Sequence, residues 1–331
     1  MNNLISKSIL VFITLFIFSC EKEDVQKLPD SYPLQEISLY PEGIVYNDVT
    51  EKTYVGSYFK GKILTVDLFG TMSNFIIDES LVAVVGMAVD NKNNRLLVCN
   101  SDAGISLRSD NATIGQLAEI IVYNLTTGEK LKTIDLSGLI QGGHFLNDIV
   151  LDNDGNMYVT DSFSPAIYKI DGNDNPSVLV SNSIFEVPQG TFGLNGIAYH
   201  EDNYLIVGKS FGGVLYKIPL SNPNEIQEIT LSSSVNSLDG LLLTDKNTLM
   251  LVSNNFTGAP FDEAVYKIET TNDWASGNIV ETFTALDGEY PTTLTEINNG
   301  LYVNFGYFPE LIDPISAPND NFKLQKIKFS K

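Results

Sequence analysis

The chain has 331 residues, of which 43% are hydrophobic and 10% aromatic, enough for a large buried core. With 41 acidic against 20 basic residues, its formal charge of −21 argues against nucleic acid and anionic membrane surfaces as partners and is compatible with cations. Cys20 and Cys99 are the only cysteines, which rules out a disulfide framework.

At the N-terminus, Lys7 supplies a positive flank and Ile9 to Phe18 an apolar stretch too short to span a membrane. The following Ile17-Phe18-Ser19-Cys20 resembles a bacterial lipobox, in which Cys20 carries lipid and becomes the first mature residue. The run Glu21-Lys22-Glu23-Asp24 resembles the surface-export signal of Bacteroidetes lipoproteins. The expected organisation is a signal peptide over 1–19, a lipidated cysteine and flexible tether over 20–36, and one folded domain over 37–331. The expected location is the outer membrane, facing either the periplasm or the cell surface. Cys99 lies in the apolar run RLLVCN and reads as an inert buried thiol.

From residue 37 onward no helical period is sustained. Short runs rich in Val, Ile, Leu and Tyr alternate with turn clusters such as DNDG, NPNE and NNG, an all-β pattern. One unit recurs: an oxygen-bearing side chain, an apolar run, a turn and a second apolar run. The repeated slot holds Glu42 in PEGIVYNDVTEKTYVGS, Asn147 in NDIVLDNDGNMYVTDS, Asn195 in NGIAYHEDNYLIVGKS and Asp239 in DGLLLTDKNTLMLVSN. Two weaker copies put Val85 and Thr292 there. A recurring third run (KILTVDL, EIIVYNL, AIYKID, VLYKIPL, AVYKIET, KLQKIKF) fixes the count at six. At roughly 49 residues per unit the repeat predicts a six-bladed β-propeller. The last unit lacks a fourth run, and the unassigned segment LQEISL from Leu34 is expected to supply it, closing the ring and covering a sheet edge.

In such a ring the slot begins each innermost strand, so the slots face one another across the axis. The loops between second and third strands share that face and carry Tyr58, Phe59, Phe163, Phe211, Phe256, Phe261, Phe305, Tyr307 and Phe308, which predicts an apolar rim. Glu42, Asn147, Asn195 and Asp239 offer oxygen ligands only. That set suits one divalent cation, calcium first, with magnesium or manganese behind it, and leaves positions open for water or substrate.

The slots from Glu42 through Asp239, with Asn-Asp at 147, Asn-Gly at 195 and Asp-Gly at 239, resemble those of the regucalcin–gluconolactonase family, which includes senescence marker protein and luciferin-regenerating enzyme. The resemblance covers essentially all of residues 37–331. It implies a six-bladed propeller with one calcium or zinc ion in its channel, acting on lactones and related esters. It implies that Glu42, Asn195 and Asp239 bind the metal, that Asn147 binds it directly or through water and orients substrate, and that Asp239 is also the general base. Phe145 stands where sugar-lactone hydrolases of the family often have Arg, which counts against a polyhydroxylated substrate. Val85 replaces the histidine proposed as base in paraoxonases, so that mechanism does not transfer.

The candidate substrate pocket comprises His144, Phe145, Lys209, Phe163 and Phe211, with His144 expected to act through hydrogen bonds rather than as a catalyst. His200 is expected in a solvated turn on the opposite face. The functional expectation is a metal-dependent, monomeric hydrolase of small lactones or esters, held at the membrane by the lipid on Cys20. The alternative from a different class is a non-catalytic surface propeller that uses the same metal to tie its blades and binds a ligand or protein.

Overall fold

Short apolar runs, buried on both faces in the inner strands and separated by turns carrying Asn, Asp and Gly, fold here as antiparallel strands. The computed structural model describes residues 28–254, 263–285, 288–313 and 315–329. A short strand β1 (Ser31–Leu34) is followed by a four-stranded sheet of β2 (Pro41–Asn47), β3 (Lys52–Ser57), β4 (Lys62–Asp67) and β5 (Met72–Ile77). The second sheet holds β6 (Ala83–Asp90), β7 (Arg95–Ser101), β8 (Ala118–Asn124) and β9 (Lys130–Asp135). The third holds β10 (Leu146–Leu151), β11 (Met157–Asp161), β12 (Ala166–Ile170) and β13 (Pro176–Ser181).

The next two sets of strands are continuous. β14 (Leu194–His200), β15 (Tyr204–Lys209), β16 (Val214–Pro219) and β17 (Gln227–Leu231) form one antiparallel meander. β18 (Leu238–Asp245), β19 (Thr248–Ser253), β20 (Ala264–Glu269) and β21 (Ser276–Thr284) form another. The outer strands of the two meet in parallel through Thr230–Ser276 and Leu231–Gly277, giving one eight-stranded sheet. The last sheet runs β22 (Pro291–Ile297), β23 (Gly300–Phe305), β24 (Phe322–Lys326) and then β1. A five-residue helix α1 (Phe308–Ile312) leads out of β23. Among the described residues no helix is long and apolar enough to cross a membrane.

The arrangement is propeller-like. Each first strand packs against the next, β2 on β6, β6 on β10, β10 on β14, β14 on β18 and β18 on β22, and β22 returns to β2. The core lies between neighbouring sheets. Leu97, Cys99, Ile120 and Val122 of the second sheet, for example, pack on Met157, Val159, Tyr168 and Ile170 of the third.

The chain end does close the last sheet, but through a different segment from the one expected. Ser31–Leu34 pairs with β24, so residues 31–34 belong to the sheet rather than to a tether. In LQEISL only Leu34 is part of the strand. Tyr32 and Leu34 keep the period-two burial that a strand requires, whereas Leu34, Ile37 and Leu39 do not. Ile37 is 60% exposed, and Ser38 and Tyr40 take left-handed backbone angles that end any ladder. Residues 1–27, including Cys20 and the export-like acidic run, lie outside the described residues.

Candidate functional site

Every innermost strand breaks its ladder at the slot. Pairing skips the two residues Glu42–Gly43 in β2, Val85–Gly86 in β6, Asn147–Asp148 in β10, Asn195–Gly196 in β14, Asp239–Gly240 in β18 and Thr292–Thr293 in β22. A bulge re-aims its side chains, and bulges repeated around a ring re-aim them toward one axis. Glycine in the second position lets neighbouring strands approach closely. A Cβ on Gly43 would collide with the Val85 carbonyl oxygen, and one on Gly196 with that of Asp239.

Side chains from the adjoining strands fix the slot backbone. Ser101 Oγ donates to the Leu146 carbonyl at 3.0 Å, and Ser162 Oγ to that of Leu194 at 2.6 Å. Thr160 Oγ1 donates to the Asn195 carbonyl at 2.6 Å, and Asn254 Nδ2 to that of Pro291 at 3.0 Å. Around the closure, Thr292 Oγ1 and Asn304 Nδ2 both donate to the Glu42 carbonyl, at 2.8 and 3.1 Å. Carbonyls on either side of the slot are thereby held, which limits how far its side chain can drift.

Glu42, Asn147, Asn195 and Asp239 are all brought together and all buried, between 5% and 8% exposed. Each lines both of two cavities that meet at the slot. Asn147 Nδ2 donates to Ser162 Oγ at 3.0 Å, leaving its carbonyl oxygen for the cavity. Asp239 Oδ2 accepts from Asn254 Nδ2, and the Asn195 side chain also hydrogen-bonds to Asp239. Asp148 adds a third carboxylate beside the cluster. Its oxygens accept from the Ile149 and Ile197 amides at 2.8 and 3.2 Å.

Among the described residues no lysine, arginine or histidine lines either cavity. Negative charge there has no basic counterpart. Burial, then the neighbouring Asp239 and Asp148, hold Glu42 well above the usual carboxylate range. Burial pushes Asp239 up to about 8, with the Asn254 amide pulling against it and Asp148 adding repulsion. Asp148 rises to about 6, again through burial, opposed by its two amide donors. Among the described residues no three His, Cys, Asp or Glu side chains form a metal-holding group, so any ion here relies on the amide oxygens of Asn147 and Asn195 as well.

On the rim side the cavity measures about 300 Å³ and is walled by Tyr58, Phe145, Phe163, Phe192, Tyr290 and Phe308. The segment between β7 and β8 folds over this mouth, contributing Ala103 and Ile105. Its turn is pinned by the wholly buried Asp102, which accepts from Gly104 N at 2.7 Å, Ser109 Oγ at 2.5 Å and Thr113 Oγ1 at 2.7 Å.

Of the candidate pocket residues, Phe145 and Phe163 line the mouth and three do not. His144 is buried beneath it, with Nδ1 on Asp161 Oδ2 at 2.8 Å and Nε2 on the Ile140 carbonyl at 3.1 Å. Both ring nitrogens face acceptors, so neither can serve a substrate. The Asp161 hydrogen bond raises its pKa above the ordinary histidine value. Asp161 also accepts from the Phe145, Phe163 and Ser164 amides, so the pair seats the aromatic wall. Lys209 turns away, donating to the Ile184 carbonyl at 2.8 Å and lying over the Tyr216 ring. Phe211 stands 45% exposed outside the cavity.

The expected rim also changes. Phe59, Phe305 and Tyr307 pack into the core or its margin, and Phe256 and Phe261 lie outside the described residues. His200, expected to be solvated, is buried: it stacks on Tyr204 and its Nε2 meets the Lys246 carbonyl at 2.9 Å. Asp148, Asn254, Phe192 and Tyr290 are the site residues that sequence reasoning missed. One available signal was the Ser or Asn recurring at the end of four of the six second runs, at Ser101, Ser162, Ser210 and Asn254.

No protein-family model matches the chain, and no curated protein does. Solved structures do. A gluconolactonase from Xanthomonas campestris superposes with a TM-score of 0.60 at 12% identity, over 90% of this chain and 89% of its own. Luciferin-regenerating enzyme gives 0.61 at 12% identity, over 89% and 94%. The chain has their fold. The Malassezia sympodialis allergen Mala s 1 is similar too, with a TM-score of 0.69 at 18% identity over 91% and 97%. At these identities the likeness concerns the fold alone.

Proposed function

We propose that this chain is a six-bladed propeller, its eight-stranded sheet counting as two blades, and that it hydrolyses lactones or related esters with the help of one divalent cation. The observation that carries the reading is the meeting of Glu42, Asn147, Asn195 and Asp239 at the floor of an aromatic-walled cavity with no basic side chain among its described residues. Buried carboxylates lacking a cationic partner are costly, and a hard cation relieves that cost. The donor set fits such an ion, calcium first, because every available atom is an oxygen.

When bound, the cation would polarise the substrate carbonyl and offset the charge that develops on its oxygen. Asp239 accepts the proton of the attacking water, with Asn254 fixing its Oδ2. Asn147, braced by Ser162, orients the substrate. Val85 adds a slot without a donor, which favours the second reading, a non-catalytic propeller that binds a ligand at its mouth. We also retain membrane anchoring through lipid on Cys20 as part of the proposal. Hydrolysis of lactone and aryl-ester panels by purified protein, before and after chelation, tests the enzyme reading. Turnover that chelator abolishes supports it, and absence of turnover with every divalent ion overturns it.

A further inference from the structure

Resting on the hydrolase reading for the reactive group alone, we infer that the mouth cavity takes neutral lactones or esters built on an aromatic ring, and that Phe145 sets this preference. Phe145 is the hub of the wall. Its ring centroid lies 6.4 Å from Tyr58, 5.4 Å from Phe163 and 5.3 Å from Phe192. Phe163 and Phe192 touch each other at 5.3 Å, and Phe308 extends the arc through Tyr58 at 5.1 Å and Tyr290 at 5.3 Å. These rings meet at tilted or edge-on angles, from 33° to 80°, the geometry in which another flat ring packs well.

Phe145 is also preorganised. Its amide donates to Asp161 Oδ1 at 2.9 Å, and Asp161 is wholly buried and braced by His144. Asn147 follows two residues later on β10, so the ring stands beside the acidic floor.

The remaining chemistry excludes other bodies. An anionic substrate would find no basic side chain among the described residues of the wall to receive its charge. A polyol would need hydrogen-bond donors as well as the acceptors of the floor, and the side-chain NH2 groups of Asn147 and Asn254 are already committed. The Asn147 amide group is engaged by Ser162, and that of Asn254 by Asp239 and the Pro291 carbonyl. Hydroxyls buried without partners lose affinity. A cavity of about 300 Å³ lies at the small end for ligand clefts and suits a one- or two-ring molecule.

The test compares 3,4-dihydrocoumarin with glucono-1,5-lactone in the wild type and Phe145→Leu, and measures calorimetric binding of the uncleavable lactam 3,4-dihydroquinolin-2-one. The expected result is turnover of the aromatic lactone at least about 100-fold more efficient than that of the sugar lactone. Phe145→Leu should raise KM for dihydrocoumarin about tenfold, change kcat by less than about twofold, and weaken lactam binding by a matching factor. Preference for the sugar lactone, or a KM and lactam affinity indifferent to Phe145→Leu, overturns the inference while leaving the hydrolase reading intact. Lactam binding that Phe145→Leu weakens, with neither lactone cleaved, supports the inference and removes the hydrolase reading.

Discussion

Asp161→Asn tests whether the aromatic wall is seated on a buried ion pair. In the native protein Asp161 Oδ1 accepts three amides, from Phe145 and Phe163 at 2.9 Å and from Ser164 at 3.0 Å. Its Oδ2 accepts from His144 at 2.8 Å and Tyr168 at 3.2 Å. The asparagine keeps one carbonyl oxygen for the three amides but turns an NH2 toward two donors. Hydrogen bonds to a charged acceptor are worth about 1 kcal/mol more than neutral ones. Breaking a buried pair from one side costs about 3–5 kcal/mol, and that range is the expected loss. At about 2.1 cal/mol/K of unfolding entropy per residue over roughly 300 residues, Tm should fall by about 5–8 °C.

The pH dependence has a fixed sign. His144 has a raised pKa in the folded state, so the pair's contribution is complete below the unfolded histidine value of about 6.5 and is lost as pH rises through the folded value. Calorimetric scans at pH 6 and pH 9 should therefore show the gap between wild type and variant narrowing at the higher pH. A gap below about 1 °C at pH 6 would show that Asp161 is not an anchor. A gap that does not change between the two would show that His144 is not charged in the fold.

Deleting residues 31–34 removes the partner strand of β24 and exposes that edge, so thermal stability should fall and self-association rise; a truncated protein that melts and elutes like the parent would contradict closure by this strand. Cys99 is buried and its thiol pushed well above the ordinary range by burial, then by Asp148 and Glu42. It should not react with a thiol reagent at pH 8 until the chain unfolds, and prompt native-state labelling would show that the core between the second and third sheets is open. Cys20→Ala should abolish lipid labelling and release the protein from membranes; retention in the membrane fraction would mean that another segment anchors it.

The four oxygen-bearing slots were legible because a repeat multiplies a weak signal. Asn147 alone is an ordinary turn residue, but Glu42, Asn147, Asn195 and Asp239 in one register point to one axis, and the structure brings them there. Asp148 was not legible. Four of the six copies have glycine at its position, and nothing in the sequence reveals that the ladder skips both residues of each pair. The rim was half legible for a related reason. Phe192 and Tyr290 sit on segments leading into β14 and β22, on the same face as the loops between second and third strands, and no repeated aromatic position in the sequence marks those leading segments. His144, Lys209 and Phe211 share that neighbourhood in sequence, yet their orientations follow from contacts made across the fold, with Asp161, Ile184 and solvent. The closing strand was placed a few residues late because Pro33 makes SYPL a poor strand by composition, although an edge position tolerates proline.

The central claim rests on Asp239 both holding the cation and taking the proton. Metal content and lactone turnover should be measured together on wild type, Glu42→Gln and Asp239→Asn across a titration of calcium. The account predicts about one ion per wild-type chain, recovery of activity by Glu42→Gln at excess metal, and turnover of Asp239→Asn depressed by about two orders of magnitude even at saturation. A wild type that binds no divalent ion, or an Asp239→Asn variant whose turnover is fully restored by metal, would contradict it.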